Sequence, residues 1–297
     1  MASLLALASP PARALTIIST FDSSITGDPN AATIISSIDA AVQVYETNFT
    51  DPITVKITFK EGGGLGSSST FYFNDVNYLS FMTALSSHAT TANDATALAH
   101  LSPFTANNPV DGNTTISLTT ANAKALGLFS YSGTDGTITL NTSLMNLDRV
   151  TIDPAKYDLQ AVAEHEIDEV LGTASGLGSN EIQPVDLYRY DSSGARNYTT
   201  SGDNAYFSLD GTTLLARYNQ HTGADYGDWY SFNGGQTPRV QDAYGTPGVI
   251  PAYGEELTLL DVVGYTFSPV PEPGATSLLM AGMALAGAGV SRRMRRR

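Results

Sequence analysis

Apolar and polar positions along the first half of the chain repeat with two different periods, and each period predicts an element. Leu15-Thr-Ile-Ile-Ser-Thr-Phe21 reads as a strand, closed by a Gly-Asp-Pro-Asn turn. Across residues 31–47, Ile34, Ile35, Ile38, Ala41, Val42 and Tyr45 recur at the three- and four-residue spacing of one helix face. Ile53-Thr-Val-Lys-Ile-Thr-Phe59 alternates strictly and predicts a strand with one face in the core. The stretch 61–69 is rich in Gly and Ser, lacks the Gly-Lys-Ser/Thr ending of a phosphate loop, and reads as a flexible connector. Short helices are expected around 78–87, 93–101 and 121–126, the last stopped by Gly127. Gly136-Thr-Ile-Thr-Leu140 returns to a strand, and a helix follows over 159–171. Beyond it Tyr, Asp and Gly become frequent and turn pairs such as Asp210-Gly211 appear, which predicts irregular and β structure as far as Tyr265. The order predicts an α+β domain: a mixed sheet, one central helix and an irregular, β-rich C-terminal lobe.

The helix over 159–171 carries the chemistry. Asp158 is placed to cap its start and Gly172 to stop it. Leu159, Val162, Ala163, Ile167, Val170 and Leu171 fill one arc of the helix, Glu166 falls inside that arc, and His165 and Glu169 sit one turn apart along its edge. Glu164 and Asp168 point outward, to solvent on this reading. A carboxylate on the buried face with a second one three residues on is costly unless a cation compensates it, and this helix contains no Lys or Arg. A metal ion held by His165 and Glu169, with Glu166 as general base for an attacking water, resolves the conflict. The spacing is that of an HExxH zinc helix with Glu in place of the second His.

Composition narrows what else could hold an ion. The chain of 297 residues has no Cys, so disulfides and thiolate ligands are excluded, and its four His are His88, His100, His165 and His221. His88 and His100 lie in polar helices without an acid at ligand spacing and read as surface or packing residues. The formal net charge is −14, yet five Arg crowd the last six positions and Arg13 stands near the start, so the body between is more acidic still. Such a body repels nucleic acid and anionic membrane and suits a solvated extracellular protein or a binder of cations. Trp229, the single Trp, reads as core.

Both ends read as addresses. Residues 1–14 place a short apolar run before Ala12-Arg13-Ala14, the small-x-small pattern of a signal-peptide cleavage site. Residues 270–297 begin Val270-Pro-Glu-Pro-Gly274, run uncharged for 17 residues from Gly274 to Val290, and end in the Arg cluster. That span is at the short limit for crossing a bilayer, and the Arg cluster would set its cytoplasmic side. The tail resembles the PEP-CTERM sorting signal of exported bacterial proteins. The resemblance implies handling by an exosortase-type enzyme, contact with the membrane through this segment, and delivery to the cell surface or beyond. The body is then residues 15–269.

The body resembles a bacterial family of PEP-CTERM-associated metalloproteases related to metzincins. The likeness is carried by Thr20-Phe-Asp-Ser-Ser24, Ala123-Lys-Ala-Leu-Gly-Leu128, His165-Glu-Ile-Asp-Glu-Val-Leu-Gly172, Asp186-Leu-Tyr-Arg-Tyr190, Ala205-Tyr-Phe-Ser208, Gly227-Asp-Trp229 and Leu257-Thr-Leu-Leu-Asp-Val-Val-Gly-Tyr265. It implies a zinc-dependent endopeptidase acting on protein or peptide at the cell envelope, with substrate held in extended form along the strand 136–140. Metzincins place a third ligand ten residues after the first, which is Ser175 here, and a Met beneath the metal, whereas no Met occurs between Met145 and Met280. The third ligand is expected at Asp186, which could equally pair with Arg189 or cap a turn, and His221 ranks next. Asp225 and Asp228 read as an ordinary loop or as a calcium site. The competing reading is a catalytically silent surface or matrix protein that keeps the fold.

Overall fold

In the computed structural model, which describes residues 15–101, 104–179, 181–232 and 236–268, the alternating segments assemble side by side. Strands β1 (Thr16–Phe21) and β2 (Thr54–Glu61) pair in parallel with Thr16 opposite Thr54, and the helix between them, α2 (Ala31–Asn48), follows a single turn of helix, α1 (Ser23–Thr26). Val55, Ile57 and Phe59 point into the core from β2, where Ile34, Ile38, Ala41 and Tyr45 of α2 meet them. Next come β3 (Gly66–Thr70), β4 (Tyr72–Asn77), α3 (Tyr78–His88), α4 (Ala92–His100), β5 (Thr115–Thr119), α5 (Thr120–Ala125) and β6 (Gly136–Leu140). The main sheet has the order β1-β2-β6-β3, with β6 parallel to β2 and β3 antiparallel at the edge. The predicted connector over 61–69 therefore contains an edge strand. Its Gly and Ser positions concealed it because an exposed edge needs no alternating apolar face. Strand β6, expected to border the cleft, is an interior strand, and β3 takes that place.

The short parallel pair β7 (Met145–Asn146) and β8 (Tyr157–Asp158) leads into α6 (Leu159–Leu171). Asp158 caps α6 through a 2.7 Å bond from the Ala161 amide and is itself clamped by both arms of Arg149 at 2.8 and 2.9 Å. At the other end Gly172 turns the chain with φ 129°, and hydroxyls of Thr119 and Tyr265 donate to the Leu171 carbonyl. Helix α6 packs beside α2 and against β3 and β6, close enough that a Cβ on Gly136 would lie 2.5 Å from Val170.

Beyond α6 the lobe is largely irregular. It holds the three-stranded antiparallel sheet β11-β10-β9, built from β9 (Arg189–Tyr190), β10 (Tyr206–Phe207) and β11 (Ala216–Arg217), with Asp210-Gly211 in the β10–β11 turn. It also holds a helix that the pattern did not suggest, α7 (Glu256–Val262), packed on α4 and α6. The architecture is α+β, as expected. One expectation for α6 is corrected: Glu164 and Asp168 are fully buried, because the C-terminal lobe covers the face assigned to solvent. The Tyr253 hydroxyl donates to Glu164, and Asp168 lies near Tyr45 and Glu256.

Contacts divide the chain into Met1–Phe267 and Ser268–Arg297, and of the second unit only Ser268 is described. The leader 1–14 and the tail 269–297 lie outside the described residues. Among those described, no helix is long and apolar enough to cross a membrane.

Candidate metal centre

Three side chains from two distant segments converge beside α6. His165 and Glu169 project from one side of the helix, as their i, i+4 spacing dictates, and Asp228 arrives from the C-terminal lobe. His165 Nε2 stands 3.8 Å from Glu169 Oε1 and 3.6 Å from Asp228 Oδ1. These separations are too long for hydrogen bonds. They are close to the edge of a tetrahedron around a zinc ion, about 3.3 Å for ligand distances near 2.0 Å. The three atoms, one nitrogen and two carboxylate oxygens, lie within 4.8 Å of one another.

Each of the three is held by a second partner. His165 Nδ1 lies 3.1 Å from the Val240 carbonyl, which fixes Nδ1–H as donor and leaves the Nε2 lone pair facing the acids. Ser68 on β3 donates to Glu169 Oε2 at 2.6 Å, leaving Oε1 toward the histidine. Gln241 donates to Asp228 Oδ1 at 2.9 Å. Asp228 is set in place by its neighbour: Trp229 is fully buried, stacks on Phe207 at 5.8 Å, packs on Tyr218, and bridges to Tyr218 on one side and Asp242 on the other. Gly227 lets this loop lie on the exit of α6, where any Cβ would collide with the Thr173 carbonyl.

Glu166 is 5% exposed, its Oε2 accepts no hydrogen bond, and its Oε1 presses on Gly66 of the edge strand. Burial first, and then Glu169, push its carboxyl up to about 8. Asp228 is raised well above its ordinary range by burial and then by Asp225 and Glu169. Burial disfavours the imidazolium of His165, yet Glu166 and Glu169 outweigh it and raise its pKa. Among the described residues no Lys or Arg pairs with Glu166, Glu169 or Asp228. Arg239, which lines a cavity together with His165 and Glu166, is engaged with Asp242 at 3.7 Å and Glu255 at 3.1 Å. The acids are offset by His165, whose charged form they favour, and by the protons that their raised carboxyls take up.

Residues 269–297 match the PEP-CTERM protein-sorting motif. The chain is therefore of the exported, surface-sorted kind that an exosortase-type enzyme recognises. No curated protein and no solved structure matches the chain. The sorting motif fixes the destination of the acidic body and leaves its chemistry to the geometry above.

Asp186, expected as third ligand, does not join the group. It is fully buried in a turn of its own, where Oδ1 accepts from Ser175 Oγ at 2.5 Å and Oδ2 accepts from the Gly176 and Gln183 amides at 2.9 Å each. It ties the segment after α6 to the turn 184–188, the capping role that was the alternative. Ser175, in the third-ligand place of metzincins, serves that same turn. His221 is stacked on Phe232 at 3.7 Å with Nδ1 against the Tyr244 hydroxyl, and it is not in the group. Asp225 and Asp228 prove to be more than a plain loop. Asp225 accepts from the Ser175 amide at 2.9 Å, and burial and then Glu169 push its carboxyl up to about 7. The sequence carried one signal for Asp228, the Gly227-Asp-Trp229 triplet in an acidic loop. It carried none for Ser68, Gly66 or Val240.

Proposed function

We propose that the body is a metal-dependent peptide hydrolase carried to the cell envelope by the sorting tail. The single observation behind this is the cluster of His165 Nε2 with Glu169 Oε1 at 3.8 Å and Asp228 Oδ1 at 3.6 Å, with no Lys or Arg paired to either acid among the described residues. The donor set of one imidazole and two carboxylates suits zinc, and zinc would supply Lewis acidity at this spot. Asp228 replaces Asp186 as the third ligand in this reading. Glu166, one residue after the ligating histidine, is placed to take a proton from an attacking water and return it to the leaving amine. Tyr72, whose hydroxyl is pushed up to about 12 by burial and then by Glu169 and Asp225, stays a neutral hydrogen-bond donor at the rim.

Strand β3 supports a substrate role. It ends the sheet, so its outer backbone groups are unpaired by strands among the described residues, and Ser68 and Gly66 face Glu169 and Glu166. An extended peptide added to this edge would pass its carbonyls over the centre.

The test is metal content and turnover together. Full-length protein prepared without chelator should carry one equivalent of zinc by mass spectrometry. His165→Ala should lose both zinc and hydrolysis of a peptide library, and Glu166→Gln should keep zinc while losing hydrolysis. Turnover that survives in Glu166→Gln, or zinc retained in His165→Ala, would sink the assignment. Zinc without any turnover in the unmodified protein would leave a silent surface protein.

A further inference from the structure

Two cavities flank the centre, one at each end of β3, and they differ in chemistry. At the Leu65–Gly66 end lies a space of about 170 Å³ walled by Leu65, Val162 and Val240 together with Glu166, Arg239 and Asp242. At the other end, past Thr70, a cleft of about 710 Å³ opens beside Tyr72 and Asp225. Asp225 ties this cleft to the loop that carries Asp228, since its Oδ1 accepts from the Gly227 amide at 2.5 Å.

The second cleft is lined by Asp75, Glu181 and Asp225 and by neutral polar residues, and no Lys, Arg or His lines it. Its acceptors outnumber its donors. Glu181 Oε2 takes the Asp75 amide at 3.0 Å, but Glu181 Oε1 is buried without a partner. Gln183 is 8% exposed, and its Oε1 likewise accepts no hydrogen bond. A cleft with three carboxylates and two unmet acceptors lacks a donor that carries positive charge.

Resting on the hydrolase reading, we propose that this cleft is a substrate subsite for a basic side chain, so that the preferred peptide places Lys or Arg here. At about 710 Å³ it accepts a long side chain with ammonium or guanidinium at its tip. Gly66 and Tyr72 are six residues apart, at most roughly 20 Å of extended chain, so a peptide of about eight residues reaches both.

The experiment measures binding apart from turnover. Fluorescence anisotropy on full-length Glu166→Gln protein compares labelled octapeptides that differ at one position, Lys, Arg, norleucine or Glu. Lys and Arg should bind about tenfold tighter than norleucine at low salt, with Glu weakest and the gap narrowing as salt rises. Glu181→Gln, which keeps the bond from the Asp75 amide, should bring Lys down toward norleucine while the thermal midpoint holds. Equal affinities for Lys and norleucine would overturn the subsite, as would an unchanged Lys preference in Glu181→Gln. So would stoichiometric calcium binding that Glu181→Gln abolishes, since the cleft would then be an ion site. The same peptides given to the unmodified protein separate the two readings. Selective binding without cleavage refutes the hydrolase and keeps the subsite, and cleavage indifferent to the basic residue does the reverse.

Discussion

Gly66 is the most incisive position at which to disturb the centre without touching a ligand. A Cβ built there would stand 2.6 Å from Val162 Cγ1 and 3.1 Å from Glu166 Cδ, and nearer still to Glu166 Oε1. Val162 is β-branched and set in a helix, so its methyl has little freedom to retreat. The Glu166 carboxyl must yield instead, by a displacement on the order of 1 Å, and a misplacement of that size costs roughly 100-fold in rate. Gly66→Ala should therefore lower kcat/KM about 100-fold, equivalent to about 2.7 kcal/mol. The extra methyl should also lower stability by about 1–3 kcal/mol. Zinc content should stay at one equivalent, because Glu169 is held by Ser68 and His165 by Val240, neither of which the new methyl approaches. Peptide hydrolysis, metal analysis and thermal unfolding on the same preparations decide the matter. Val162→Ala placed in the Gly66→Ala background frees one wall of the clash and should recover part of the rate. The reasoning is refuted by a Gly66→Ala protein that keeps zinc and hydrolyses peptide within about twofold of the parent, since roughly 100-fold was expected.

Three further outcomes are expected. Asp186→Ala leaves the Ser175 hydroxyl and the Gly176 and Gln183 amides without their acceptor, so it should cost about 1–3 kcal/mol in denaturant unfolding yet leave the zinc stoichiometry intact; loss of zinc would restore Asp186 to the ligand set. Asp228→Asn should lose zinc, and in metal-free form its thermal midpoint should rise, because Asp228 is buried beside Asp225 and Glu169 with no cation; a lower midpoint without metal would contradict the repulsion argument. Away from the centre, burial pushes the Asp261 carboxyl up to about 6 from 3.8, so the folded state binds its proton more tightly than the unfolded chain. Stability of the metal-free protein should then fall as pH rises from 3.8 through about 6, with a smaller fall in Asp261→Asn, read as the thermal midpoint against pH.

Local patterns exposed the elements that position the centre, and they failed where placement depends on distant chain. The period of α6 gave its bounds, its caps and the pairing of His165 with Glu169, because all of these are set within one helix. The acids on its far face were misassigned for an equally physical reason. Amphipathicity assigns the polar face to water, but here Tyr253 and Glu256, some 90 residues later, close over Glu164 and Asp168. Strand β3 was hidden because edge strands are defined by the partner they pair with, and Ser67-Ser-Ser69 has no apolar alternation to reveal that partner.

The third member of the cluster, Asp228, shows the same limit most clearly. Proximity in sequence favoured Asp186, only 15 residues past the end of α6, and the fold does bring it back, as a turn cap. Asp228 reaches the histidine because its neighbour Trp229 is buried among Phe207 and Tyr218 and because Gly227 fits against the helix exit. An aromatic anchor beside an acid, with a glycine before it, is a statement about how far a loop can be pressed into a core. That statement acquires meaning only once the helix it presses on is known. The acidity around α6 then becomes intelligible as a whole: Glu166, Glu169, Asp225 and Asp228 crowd around His165 without a Lys or Arg partner among the described residues. An ion bound at His165, as proposed, would convert their repulsion into attraction.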